Sequence, residues 1–312
     1  MMKLSTGIIG LGNIGLSRNS KNDEIKKDSH YYTIINSKYF QLVSVCDINI
    51  KNLSAFKKNK KIKKYSDYKQ MIKNHFFDLI VIATPNDTHY KILNYINNFK
   101  VKYIFCEKPL TENYLKITKI ISKNKFSKIQ VNYSRRFNLQ LNDLKQLIKQ
   151  NYLGQPKHVF IKYNRGLINN GTHFIDMILW FFGKPIWSKI IKKNSSRSIN
   201  NDYDLDFIFY YKNKLTVHFH CYDIKNINIE EIDMIFSKGK IFIINEKIYF
   251  YDLVKDSRNN SLKKFRRFKL QKINYLDCLK NAYKNIYENH VFRKTLISPA
   301  KNSLDIFKFI DL

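Results

Sequence analysis

The sequence predicts a two-domain α/β protein, with a doubly wound parallel sheet in front and an α/β domain with a mostly antiparallel open sheet behind. Over residues 1–130, short apolar runs alternate with longer amphipathic ones, the rhythm of βαβ units. Beyond that point the runs become strand-like and are joined by short polar turns, as in an antiparallel sheet covered on one face by helices. A length of 312 residues exceeds one typical core and suits two. The expected domains are 1–130 and 131–312.

The elements follow in order. Leu4–Ile9 reads as the first strand, and Gly10–Gly15 as a turn into a helix. Phe40–Cys46 is the second strand, followed by a helix around Ile50–Phe56; Lys63–Tyr65 is a short edge strand and Tyr68–Lys73 a short helix. Asp78–Ala83 is a buried strand, then come a helix from Asp87, a strand at Lys102–Cys106, a helix over Thr111–Asn124 and a strand at Ile129–Tyr133. In the second domain Asn138–Lys149 carries Leu141, Leu144, Leu147 and Ile148 on one helical stripe. His158–Tyr163 reads as a strand, and His173–Phe182 as a helix stopped by Gly183-Lys184-Pro185. Strands are expected at Asp206–Tyr211, Leu215–His220, Glu231–Phe236 and Lys240–Ile244, and helices at Tyr275–Glu288 and Ala300–Phe309.

Composition narrows the function classes. Hydrophobic residues make up 44% of the chain, which marks a globular protein. No apolar run is long enough for a transmembrane helix, and the apolar N-terminal run is too short for a signal peptide. The four cysteines, with no C-x-x-C pair, read as reduced thiols of a cytoplasmic protein. The net charge of +31 is spread through nearly every segment, without the localised stripe that nucleic-acid binding needs. Its densest patch, Lys263, Lys264, Arg266, Arg267 and Lys269, reads as a solvated strand or hairpin. Neither nucleic acid nor membrane is therefore expected as a partner. His218 and His220 share one strand face without a third ligand nearby, so no metal site is expected.

The chemistry starts at Gly10-x-Gly12-x-x-Gly15, a Rossmann fingerprint that follows a strand and opens a helix. Gly10 permits the tight turn, Gly12 the approach of a pyrophosphate, and Gly15 close helix–strand packing, with Asn13 and Ile14 in the same turn. Asp47 ends the second strand, where a carboxylate accepts from a ribose hydroxyl and repels a 2′-phosphate. NAD is thereby favoured over NADP. Asp47 lies farther on than the usual spacing, which makes Arg18–Lys38 an insertion or a lengthened helix; the plainer reading is that Asp47 caps the next helix. Ala83-Thr84-Pro85-Asn86 and Glu107-Lys108-Pro109-Leu110 close two further strands at the carboxyl edge, where ligands of such sheets sit. A lysine there is placed to hydrogen-bond a substrate hydroxyl. Of Arg135 and Arg136, one is expected to reach cofactor or substrate and the other to lie on the surface.

These segments, GLGNIG (10–15), ATPN with TH (83–89), EKPL (107–110) and NYSRRFN (132–138), are followed by GLINNGTHFID (166–176). Together the chain resembles the glucose–fructose oxidoreductase / inositol dehydrogenase / MocA-like (Gfo/Idh/MocA) family over nearly its whole length. The resemblance implies that Lys108 contacts the substrate hydroxyl near the nicotinamide and that His173 is the general acid/base. It implies that Thr84, Pro85, Asn86, Glu107 and Arg135 line the dinucleotide, and that Asn169, His173 and Asp176 hold substrate. It also suggests a cis Lys108–Pro109 bond and a homodimer or homotetramer formed through the open sheet face. Many relatives carry Asp four residues before the histidine; this chain has Asn169, an amide that supplies no negative charge. The expected function is hydride transfer at a secondary alcohol carbon of a sugar, nucleotide-sugar or cyclitol-like substrate, with a lean toward surface-polysaccharide sugars. The rival is a non-catalytic dinucleotide-binding sensor or scaffold.

Overall fold

The computed structural model describes residues 3–16, 27–56, 60–196, 202–224, 226–259 and 261–310. The chain divides into two compact units, Met1–Phe137 with Leu276–Leu304, and Asn138–Tyr275 with Asp305–Leu312.

The first unit holds six strands: β1 (Leu4–Ile9), β2 (Phe40–Cys46), β3 (Lys63–Tyr65), β4 (Leu79–Ile82), β5 (Tyr103–Cys106) and β6 (Lys128–Val131). All pair in parallel in the order β3-β2-β1-β4-β5-β6. Every residue of β4 and β5 is buried, which is why both read as unbroken apolar runs: helices cover both faces of a parallel sheet. The helices are α1 (His30–Ile35), α2 (Ile50–Leu53), α3 (Tyr68–Asn74), α4 (Asn86–Ile96) and α5 (Tyr114–Lys123). Strand order reverses between β1 and β4, so their carboxyl ends open the crevice where doubly wound folds bind ligands.

Residues 13–16 form a hydrogen-bonded turn after the first glycines. Leu16 N–H donates to the Gly12 carbonyl, His30 N–H to that of Ile14 and Tyr31 N–H to that of Gly15. Helix α1, whose N-cap Ser29 accepts from Tyr32 N–H, is thus hydrogen-bonded back to the glycine turn. Of the segment Arg18–Lys38, expected to be an insertion or a lengthened helix, residues 18–26 lie outside the described residues.

The second unit begins with α6 (Leu139–Lys149), β7 (Pro156–Asn164) and α7 (Thr172–Phe182). Then come β8 (Trp187–Ser195), β9 (Tyr203–Tyr210), β10 (Thr216–Tyr222), β11 (Glu230–Phe236), β12 (Gly239–Ile244), β13 (Lys247–Lys255) and β14 (Lys263–Lys272). They form one sheet in the order β14-β13-β12-β11-β7-β10-β9-β8. Pairing is antiparallel except between β7 and β10. On β7 the side chains of Val159, Ile161 and Tyr163 are buried, while His158, Phe160 and Lys162 stand on the opposite, open face. The basic patch is β14, an exposed edge strand, whose charge discourages edge-to-edge pairing. The chain then returns to the first unit through α8 (Cys278–Phe292), and α9 (Ala300–Lys308) follows. A single boundary at 130/131 does not describe this return.

Candidate functional site

The glycine turn is closed on itself. Gly10 has φ +94°, and a Cβ on Gly15 would lie 2.1 Å from the Gly10 carbonyl oxygen, so neither position accepts a side chain. A Cβ on Gly12 would meet nothing within 4 Å. Its backbone faces open space, the fit a pyrophosphate requires. Asp47 is tied to this turn: Oδ2 accepts from Leu11 N–H at 2.7 Å and from Asn52 Nδ2 at 3.1 Å, while Oδ1 accepts from Asn49 N–H at 2.7 Å. The side-chain cap of α2 is Asn49, not Asp47. Each carboxylate oxygen accepts about two hydrogen bonds, so Oδ1 keeps room for a ribose hydroxyl.

The loops after β4 and β5 are joined by a residue to which sequence reasoning gave no role. His89 is buried on α4, with Nδ1 2.9 Å from the Pro109 carbonyl and Nε2 2.9 Å from the Thr84 carbonyl. It fixes Thr84-Pro85-Asn86 against the Glu107-Lys108-Pro109 turn. Thr88 Oγ1 lies 2.7 Å from both Thr84 Oγ1 and the Pro85 carbonyl, closing the first turn of α4. The Lys108–Pro109 peptide is cis.

Glu107 lies in a buried polar cluster. Its Oε1 accepts from His30 Nε2 at 2.9 Å and from Asn132 Nδ2 at 2.7 Å; His30 Nδ1 lies 2.8 Å from the Tyr283 hydroxyl. Burial opposes ionisation of Glu107, but the His30 and Asn132 hydrogen bonds and the His30 and Lys108 charges outweigh it, so its carboxyl is held below the usual range. Arg135 and Arg136 follow in a 3₁₀ turn over Ser134–Phe137. The expectation that one lies on the surface is corrected: both are 8% exposed, because α8 packs against this turn.

In the second unit the GLINNGTHFID segment forms a π-helical turn over Leu167–Gly171, leading directly into α7. Asp202 organises it: Oδ1 accepts from Ile168 N–H at 2.9 Å and from Tyr203 N–H at 2.7 Å, and Oδ2 accepts from Asn169 N–H at 2.8 Å. Asn169 Nδ2 donates to the Arg165 carbonyl at 3.1 Å. His173 is half-buried in the first turn of α7, and Asp176, three residues on, is 1% exposed. On the open sheet face His218 stacks on Phe160 and His220 Nδ1 meets Asp206 at 2.9 Å. Among the described residues no three potential metal ligands converge.

Topology and strand-end residues together define a dinucleotide-binding α/β protein. Residues 4–133 match the Gfo/Idh/MocA model described as "Oxidoreductase family, NAD-binding Rossmann fold". An inositol 2-dehydrogenase of Rhodococcus erythropolis is 31% identical over 134 residues, which cover 38% of each protein. The fold extends across the whole chain in solved structures. An oxidoreductase from Thermotoga maritima superposes with TM-score 0.79 at 16% identity, covering 99% of this chain and 95% of that one. The WlbA dehydrogenase from Bordetella pertussis, solved with NADH and UDP-GlcNAcA, gives 0.74 at 16% identity, covering 98% and 94%. An oxidoreductase from Agrobacterium radiobacter, solved with NAD+, L-tartaric acid and magnesium, gives 0.73 at 13%, covering 99% and 95%.

Proposed function

We propose that the protein is an NAD-dependent dehydrogenase or reductase acting on a secondary alcohol carbon of a sugar, nucleotide-sugar or cyclitol-like substrate. The observation that carries this reading is the Glu107-Lys108-Pro109 turn at the carboxyl end of β5, braced by His89 against the Thr84-Pro85-Asn86 loop. NAD, when bound, supplies the hydride acceptor or donor at the nicotinamide. Gly10, Gly12, Asn13, Ile14 and Gly15 receive the pyrophosphate through backbone N–H groups, and Asp47 Oδ1 accepts from the adenosine ribose. Glu107, Thr84, Pro85, Asn86 and Arg135 line the remainder of the dinucleotide. Lys108 donates to the reacting hydroxyl and lowers the cost of its deprotonation, and His173 exchanges that proton with solvent. Asn169 and Asp176 orient neighbouring hydroxyls. The inositol 2-dehydrogenase relative and the WlbA fold neighbour support a polyol or sugar substrate.

The test is nicotinamide fluorescence during titration with NADH and NADPH, with and without a panel of sugars, nucleotide-sugars and inositols. Saturable NADH binding, weaker NADPH binding and a substrate-dependent change are expected. Lys108→Ala and His173→Ala should each lower kcat by two orders of magnitude or more, on the scale of a lost general acid/base, roughly 10²–10⁴. Unchanged turnover in both variants overturns the mechanism.

A further inference from the structure

The buried cluster around Glu107 draws on four separated parts of the first unit. His30 comes from the start of α1, Glu107 from the end of β5, Asn132 from the residue after β6, and Tyr283 from α8. His30 is completely buried, its ring edge-on to Phe105 and Tyr283, so packing as well as hydrogen bonding fixes its plane. A carboxylate only accepts hydrogen bonds, so the nitrogen facing Glu107, Nε2, carries the hydrogen; the Tyr283 hydroxyl occupies the other nitrogen. Both donors to Glu107 meet the same oxygen, Oε1, and among the described residues no hydrogen bond reaches Oε2. The side chain of Glu107 remains 13% exposed.

We propose that His30 is a positioning residue: clamped by Tyr283, it holds Glu107 by Oε1 and presents Oε2 as an open acceptor for a hydroxyl of the bound dinucleotide. This rests on the NAD-binding reading above. His30 N–H donates to the Ile14 carbonyl at 2.9 Å, so the clamp is seated against the glycine turn. The titratable groups around the carboxylate are His30, Lys108, Cys106 and Tyr283. Burial, reinforced by the charge of Glu107, pushes the Cys106 thiol and the Tyr283 phenol well above their ordinary range, so neither titrates near neutrality.

The experiment measures NADH dissociation constants from pH 4 to 9 for the wild type, Tyr283→Phe, His30→Ala, Glu107→Gln and the double variant His30→Ala/Glu107→Gln. Urea denaturation and ¹⁵N-histidine NMR of the unliganded proteins accompany it. Tyr283→Phe keeps the ring packing and is the variant that folds most safely. His30→Ala should weaken NADH on the order of tenfold, as a lost charge-assisted hydrogen bond does, and Tyr283→Phe should weaken it less, because the His30 donor to Glu107 remains. The acid limb of binding should move to higher pH in His30→Ala, because Glu107 loses the donor that favours its charged form, and by less in Tyr283→Phe, where the donor stays but is no longer held in place. In Glu107→Gln that limb should vanish, and adding His30→Ala should weaken binding no further. In the unliganded wild type, NMR should show hydrogen on His30 Nε2 throughout. Equal losses from His30→Ala with and without Glu107, or an unmoved acid limb, would reduce His30 to packing and overturn the clamp. So would an NMR signature of hydrogen on Nδ1 alone. Failure of the wild type to bind NADH overturns the underlying reading as well, whereas wild-type binding with unaltered variants overturns the clamp alone.

Discussion

At Gly15 a single added methyl group decides the outcome. It would sit 2.1 Å from the Gly10 carbonyl oxygen and against the backbone of Gly10 and Leu11, with no flexible side chain to yield. Gly15→Ala should therefore destabilise the first unit by about 2–3 kcal/mol and abolish NADH binding, read by urea denaturation and fluorescence titration. Carboxylates set the acid side of stability. The Glu107 carboxyl is lowered for the reasons given above. That of Asp78 is lowered because Lys102 and Ser5 outweigh its burial. A folded pKa below the unfolded one contributes stability that is fully present above the unfolded value, about 4, and is lost as pH falls through the folded value. Chemical denaturation between pH 7 and 3 should show that loss below about pH 4, and Asp78→Asn should flatten it.

Elements in the second unit depend on one carboxylate. Asp202 accepts from the backbone N–H groups of Ile168, Asn169 and Tyr203, so a side chain at the head of β9 holds the π-helical turn before α7. Removing it leaves buried donors without an acceptor, each costing roughly 1–3 kcal/mol. Asp202→Ala should lower stability by about 2–4 kcal/mol and raise KM for the alcohol substrate. Its NADH affinity should match the wild type, because the glycine turn and Asp47 lie in the other unit. A parallel loss of NADH affinity would contradict this division of labour.

For the whole molecule, the excess of 56 Lys and Arg over 25 Asp and Glu makes self-repulsion a general destabilising force. Salt shortens the screening length from about 30 Å at 0.01 M to about 8 Å at 0.15 M. The thermal midpoint should therefore rise over that range; a falling midpoint would mean that attractive pairs, such as Lys102–Asp78, dominate instead. We further propose that the open face of the second sheet is a self-association surface. It carries the exposed side chains of Phe160 on β7, Ile235 on the neighbouring β11 and Trp187 on the edge strand β8. Light scattering should give a dimer or tetramer mass, and Phe160→Glu should shift it toward the monomer.

The sequence by itself determined the architecture and the location of the strand-end motifs. Alternating apolar runs specify a parallel sheet because both faces must be covered, and Gly10–Gly15 and Glu107–Leu110 mark strand ends because their backbone needs are local. No helix among the described residues is long and apolar enough to cross a membrane, as the hydropathy of the chain also indicates. His89 was visible only as part of a helix start, since its partners, the Thr84 and Pro109 carbonyls, belong to two different loops. The burial of both Arg135 and Arg136 depends on α8, which lies far along the chain and folds back onto them. His30 was hidden by the residues that separate it from the glycine turn, and Tyr283 and Asp202 by their distance in sequence from Glu107 and Asn169. Local backbone demands and hydrophobic period are written in consecutive residues. Which buried donor meets which carboxylate is a property of chain segments that become neighbours only on folding, and tertiary structure alone decided it.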